Sequence, residues 1–89
     1  MIQKITVVQL SCQPLYQIAS LILYDWKHPY FGAKPYIDAM KSMDKITDNY
    51  YEDPGPEIVA RFLGNASTWR GETARAVKKE LNRRLKETG

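Results

Sequence analysis

Residues 68–86, TWRGETARAVKKELNRRLK, carry the clearest structural signal in the sequence. Apolar residues recur there at the three- and four-residue spacing that places them on one face of an α-helix. They are Ala74, Val77, Leu81 and Leu85. Glu80 and Arg84 lie one turn apart and form a favourable pair on such a helix, and Trp69 lies at its start. The pattern predicts an amphipathic last helix.

A second apolar stripe, far upstream, predicts a first helix from a cap at Ser11 to about Lys27. Pro14 is compatible with the first turn, and Pro29 disfavours helical geometry at the residue before it. The stripe consists of Leu15, Ile18, Ala19, Ile22 and Trp26.

The chain between these segments predicts two shorter helices. One starts after Gly32, with Pro35 in its first turn, and the other ends at Gly64. Residues 44–56 are rich in Asp, Asn, Tyr, Gly and Pro and predict a loop, from which Asp53 can cap the helix that follows. The inward-facing residues are Tyr36, Ala39, Met40 and Met43 in one helix and Ile58, Val59, Phe62 and Leu63 in the other.

Residues 1–10 lack a helical stripe and are rich in β-branched side chains, so they predict a short strand or a loosely held extended arm. A strand here would have no partner within the chain, and the same segment of a second copy could pair with it to form a homodimer. The predicted fold is therefore all-α: a small bundle of about four helices in residues 11–89, with an extended or β-like N-terminal arm.

The composition fits a globular domain of 89 residues, with 44% apolar and 26% charged residues. The single cysteine, Cys12, cannot form an internal disulfide, which favours a reducing, cytoplasmic location. Residues 5–24 carry no charge, but three Gln residues and Pro14 interrupt the run. We therefore expect neither a signal peptide nor a membrane span.

Candidate catalytic and metal-binding residues are scarce. His28 is the only histidine, and one His with one Cys cannot supply a metal site of several convergent ligands. The carboxylates of the 44–56 loop do not follow the spacing of a calcium-binding EF-hand. The sequence predicts no catalytic residues, no metal and no cofactor, and a protein that is not an enzyme.

Aromatic residues fall into two groups. Trp26, Phe62 and Trp69 have the large apolar area that a small core needs. A second group falls in predicted loops, where tyrosine is enriched at protein interfaces, although simple contact with the helix ends is the alternative. This second group consists of Tyr30, Phe31, Tyr50 and Tyr51.

Positive charge is concentrated in the last helix. Residues 67–89 contain seven Lys or Arg and three Glu, whereas residues 1–66 contain six basic and seven acidic residues. An anionic partner, such as nucleic acid or an acidic protein groove, would neutralise this charge. Alternatively, the cations complement the helix dipole and maintain solubility. The residues predicted on the outer face are Arg75, Lys78, Lys79, Arg83 and Lys86.

Four segments carry a resemblance: DWK at 25–27, YFGAKPY at 30–36, AM at 39–40 and FLGNASTWRGETAR at 62–75. Over residues 16–86 the chain resembles a group of small proteins carried by bacteriophages and conjugative elements of bacteria. The resemblance implies a setting in which an accessory protein binds and blocks or redirects a host protein, such as a component of a defence system. It transfers no functional residue.

The sequence thus predicts a non-enzymatic protein-binding protein of a mobile element, with the Tyr-rich loops and the basic last helix as its contact surfaces. The alternative is a small nucleic-acid-binding protein whose last-helix cations contact phosphates. No helix-turn-helix pattern supports sequence-specific recognition. An unrecognised enzyme is a third and weaker hypothesis.

Overall fold

Four α-helices follow one another along the chain in the computed structural model, which describes residues 7–88, with side chains from Leu10 onward. The helices are α1 (Leu15–Asp25), α2 (Lys34–Met40), α3 (Gly55–Gly64) and α4 (Glu72–Thr88). A 3₁₀ helix, Val7–Cys12, precedes them, and a two-stranded antiparallel hairpin of β1 (Asn49–Tyr50) and β2 (Asp53–Pro54) precedes α3. This confirms the predicted small all-α bundle.

Successive helices run in alternating directions, as contacts at their ends show. The amides of Leu15 and Tyr16, at the start of α1, donate to the carbonyls of Asp44 and Met43 beyond the end of α2, both at 2.9 Å. At the other end of α1, the Trp26 ring lies 5.7 Å from that of Trp69, just before α4. Residues 26–33 and 65–71 therefore meet at one end of the bundle.

Close contacts at two glycines show that α2 and α3 are antiparallel. An ideal Cβ on Gly32, before α2, would lie 2.7 Å from Oδ1 of Asn65, just after α3. At the opposite end, a Cβ on Gly55 would overlap the carbonyl oxygens of Ile46 and Asp48. Residues 41–54 therefore lie at the end of the bundle opposite residues 26–33.

The core lies between the four helices and follows the predicted stripes. Phe62 is fully buried and Trp69 is 2% exposed, while Trp26 is only partly buried. In α2 the predicted Met40 is fully buried, and so is Ile37, which the prediction omitted; Tyr36 is only partly buried against the core. Burying a large apolar side chain contributes about 1.5 to 3 kcal/mol, so these stripes supply most of the favourable free energy of folding.

The helix starts differ from the predictions. Ser11 does not cap α1, because Pro14 is the N-cap and the first amides find backbone carbonyls instead. Asp53 does not cap α3 either; Pro54 holds that position, and Asp53 pairs with Tyr50 in the hairpin. The last helix begins at Glu72 instead of residue 68, because residues 66–69 form a turn before Gly71, whose φ is +115°.

The predicted extended arm is wrong for residues 7–10, which belong to the 3₁₀ helix; residues 1–6 lie outside the described part of the chain. Arg84 accounts for this local structure, because its Nη2 donates to the carbonyls of Leu10 at 2.8 Å and Gln13 at 2.7 Å. Pairing of the arm between two copies stays a prediction. Among residues 7–88 no helix has the length and apolar character to cross a bilayer.

Candidate functional site

The four loop aromatics predicted to bind a protein form two separate pairs. The rings of Tyr30 and Phe31 lie 4.8 Å apart in the connection before α2, and those of Tyr50 and Tyr51 lie 4.7 Å apart in the hairpin before α3. These connections are at opposite ends of the bundle. The predicted aromatic residues are therefore not one surface but two.

Phe31 and Tyr51 are the most exposed large apolar side chains in the described part of the chain. Phe31 is 77% exposed and Tyr51 is 86% exposed, while Tyr30 is 46% exposed and Tyr50 is half-buried. The prediction that these aromatics only cover helix ends is therefore wrong for Phe31 and Tyr51. Each is available to a partner.

The surface formed by residues 26–34 and 65–71, here called the cationic end, contains no Asp or Glu. Lys27, His28, Lys34 and Arg70 are all exposed there, around Tyr30 and Phe31. Two carboxylates directly flank these segments, Asp25 and the exposed Glu72, and Asp25 accepts a hydrogen bond from Nε1 of Trp69 at 2.8 Å. Folding thus combines cations from two distant segments, which the charge count along the sequence did not reveal.

Two stacked tryptophans, Trp26 and Trp69, join the two segments of the cationic end. The Trp26 and Trp69 rings stack with 9° between their planes, and Trp69 meets Phe62 edge to face at 6.3 Å. The Nζ of Lys78 donates to the Trp69 carbonyl at 2.7 Å, which joins this support to α4. Each such aromatic contact adds about 0.5 to 1.5 kcal/mol of stability beyond the burial of apolar area, so the residues at this end of the bundle are held in place.

A small pocket of about 250 Å³ opens beside Tyr30. Gly64, Asn65, Ser67 and Thr68 line it together with Tyr30. The Nδ2 of Asn65 donates to the Arg61 carbonyl at 2.8 Å, which fixes this lining residue to the end of α3. The pocket is smaller than most small-molecule sites and suits one side chain of a partner.

Residues 41–54, here called the acidic connection, hold four carboxylates and two lysines. The Oδ2 of Asp48 accepts the amide N–H groups of Lys45 at 3.0 Å and Asp44 at 3.1 Å. These bonds hold the pKa of Asp48 below its ordinary value. Asp48 therefore stabilises the turn. Within residues 7–88, no three His, Cys, Asp or Glu residues lie close enough together to bind a metal ion.

The five cations predicted on the outer face of the last helix have different environments. Arg83 pairs with Glu80 and with Glu87, both at 2.6 Å. Lys78 is partly buried against Trp69, and burial is the main cause that lowers its pKa. The predicted outward orientation is wrong for Lys78. The remaining exposed cations, here called the α4 row, are Arg75, Lys79 and Lys86.

Sequence reasoning identified the pair of Glu80 and Arg84 but missed what the pair holds. Glu80 is only 8% exposed and accepts hydrogen bonds from both Arg83 and Arg84. These bonds, that of Arg83 first, lower the pKa of Glu80 despite its burial. Through Arg84 the pair fastens the 3₁₀ helix to α4, a contact between segments more than 70 residues apart that no local pattern encodes.

His28 and Cys12 are both exposed, and the cysteine is free. Cys12 ends the 3₁₀ helix before α1, and His28 lies in the connection after α1. Comparison with protein-family models, with curated proteins and with solved structures finds no match for this chain. The functional argument therefore depends on its own surfaces.

Proposed function

We propose that the protein is a non-enzymatic interaction protein that binds another protein through the cationic end. The observation that supports this most is the position of Phe31, which is 77% exposed beside Tyr30 on a surface supported by stacked tryptophans. An exposed aromatic pair on a fixed base is typical of the few residues that dominate a protein interface.

The energetics of such a contact are favourable. Covering one large aromatic side chain removes enough apolar surface from water to contribute about 1.5 to 3 kcal/mol. Tyr30 and Phe31 already contact each other, which limits their freedom before binding and reduces the entropy lost on association. The pair thus has the properties of a binding centre and lies in the chain's most cationic connections.

The resemblance to small proteins of bacteriophages and conjugative elements supports the setting of the proposal. In that setting the protein acts in the bacterial cytoplasm, and its partner is a host protein. A component of a defence system, blocked or redirected by the bound protein, is the class of partner that suits an accessory protein of a mobile element.

Binding of nucleic acid is the second candidate, and the α4 row supports it. Arg75, Lys79 and Lys86 are exposed and share one helix face over about 16 Å. Because Lys78 and Arg83 already have intramolecular partners, only three of the five predicted cations remain for phosphates. Replacing the three with Gln should remove salt-dependent binding of DNA or RNA, and wild-type protein that binds neither excludes this candidate.

Capture of a partner from bacterial lysate tests the leading proposal. We expect the tagged chain to recover one specific protein, and the changes Tyr30→Ala and Phe31→Ala to lose it while helix content and melting temperature stay unchanged. Tyr51→Asn is the matched control, because it removes an equally exposed aromatic at the other end of the bundle and Asn tolerates the positive φ of 57° there. A partner retained by the folded Tyr30→Ala, Phe31→Ala variant would refute the proposal.

A further inference from the structure

The charges of the cationic end restrict the chemistry of its partner. Lys27, Lys34 and Arg70 are exposed in the two segments that form this surface, and these segments have no carboxylate of their own, although Asp25 and Glu72 directly flank them. Like charges across an interface are unfavourable, and opposite charges accelerate the encounter and select the partner. A surface that complements this one is therefore acidic.

The pocket beside Tyr30 adds a second requirement. Ser67 and Thr68 present exposed hydroxyl groups at its wall, and hydroxyls donate well to a carboxylate. Phe31 follows Tyr30 of the pocket lining and offers a 77% exposed apolar side chain. One acidic side chain and one apolar side chain, close together in the partner, would satisfy both features.

The ring geometry favours a peptide over single-stranded nucleic acid. Bases stack on aromatic faces that are open to them, but the Tyr30 and Phe31 rings are tilted by 54° and contact each other at 4.8 Å. The three cations come from two separate segments, whereas the α4 row lies along one helix face. Mixed apolar and carboxylate side chains fit this arrangement better than successive phosphates and bases.

We infer that the cationic end recognises an acidic peptide segment of its partner, in which carboxylates flank an apolar side chain that covers Phe31. This inference rests on the proposed function and specifies the partner's chemistry. The carboxylates meet Lys27, Lys34 and Arg70, and one of them reaches the hydroxyls of Ser67 and Thr68.

Titration of the isotope-labelled full chain with a synthetic peptide, followed by amide chemical shifts, tests the inference. The probe is a short peptide with a central Leu-Phe pair between Glu and Asp residues, and its control replaces each Glu and Asp with Gln and Asn. We expect the acidic peptide to shift the amides of residues 26–34 and 65–71, and the neutral control to bind about tenfold more weakly at low salt.

Matched charge changes locate the contact. Lys27→Gln with Lys34→Gln should weaken binding of the acidic peptide about fivefold, whereas Arg75→Gln with Lys79→Gln, the same loss of charge on the α4 row, should leave it unchanged. Three results would each overturn the inference. The neutral peptide could bind with the same affinity as the acidic one, or the acidic peptide could shift only the amides of α4. Oligothymidylate could also bind the cationic end more strongly than the acidic peptide does.

Two further outcomes distinguish this inference from the proposed function and from self-association. If Phe31→Ala loses the captured partner but the acidic peptide does not bind, the proposed function stands and the acidic chemistry is wrong. If the amide shifts of residues 26–34 depend on protein concentration without any peptide, a second copy of the chain occupies the site. That result would also overturn the inference of a separate acidic partner.

Discussion

The cationic end and the acidic connection each expose an aromatic pair, but only one of them has the properties of a binding surface. Tyr30 and Phe31 lie at the same end of the bundle as the stacked tryptophans, and Tyr30 lines a pocket. Within residues 7–88, none of the ion pairs includes Lys27, Lys34 or Arg70. Tyr50 and Tyr51 lie in a hairpin with two-residue strands. The carboxylate of Asp48, just before this hairpin, accepts hydrogen bonds from backbone amides. The two pairs are therefore distinguished by their surroundings, and not by exposure alone, which is why we propose the first pair as the binding surface.

The largest expected effect comes from breaking the support of the cationic end. Trp69→Ala removes the stack on Trp26, the contact with Phe62 and the hydrogen bond to Asp25. We expect the free energy of unfolding to fall by about 4 kcal/mol, as for other large buried aromatics replaced by Ala. Denaturant unfolding measures this loss, and a loss below about 1 kcal/mol would mean that the indole does not support this end.

A smaller but still large effect is expected where the acidic connection meets α3. Gly55→Ala places a methyl group against the carbonyl oxygens of Ile46 and Asp48, and should destabilise the protein by about 3 kcal/mol. Gly64→Ala, at the other end of the same helix, meets no atom within 4 Å and should be neutral or stabilising by up to about 1 kcal/mol. Equal melting temperatures for the two variants would contradict this difference between the ends.

Acid should weaken the contact that holds the 3₁₀ helix near the acidic connection. Glu80 has a lowered pKa in the folded protein, so its contribution is present above its ordinary value of 4.5 and is lost as the pH falls through the folded pKa. Glu80→Gln removes this titration. We therefore expect a flatter dependence of stability on pH below about 4.5 for the variant than for the wild type, and parallel curves would show that Glu80 contributes nothing to acid sensitivity.

The smallest expected effect is local to the acidic connection. Because the pKa of Asp48 is lowered by the amides of Lys45 and Asp44, these two hydrogen bonds weaken only as the pH falls below about 3.8. The amide chemical shifts of Asp44 and Lys45 should follow that titration in the wild type but not in Asp48→Asn. Shifts of the same size at residues 65–71 would contradict the assignment of this titration to one end.

The fold could be predicted largely from local patterns, because each helix carries an apolar stripe with helical spacing. The exact helix starts could not, because carbonyls of Met43 and Asp44 and the proline N-caps replaced the side-chain caps expected at Ser11 and Asp53. Which carbonyls accept these amide hydrogen bonds depends on which turns pack against each other in the folded protein.

The candidate surface could be predicted only in part. Tyr30 and Phe31 were identified by their type and their position in a loop, but Lys27, Lys34, Arg70, Ser67 and Thr68 were not. They become one surface only when the turn after α3 folds beside the connection before α2. Conversely, a helical wheel placed Lys78 and Arg83 on an open face, and it could not reveal the Trp69 carbonyl or the shared Glu80 that engage them.

Affinity for the captured partner, measured with one aromatic removed at each end, tests the central claim most directly. We predict that Phe31→Ala weakens binding by about 30-fold or more, the loss of an interface hot spot, and that Tyr51→Asn changes it by less than about twofold. A large loss with Tyr51→Asn, together with unchanged affinity for a folded Phe31→Ala variant, would place the binding surface at the acidic connection and contradict the account.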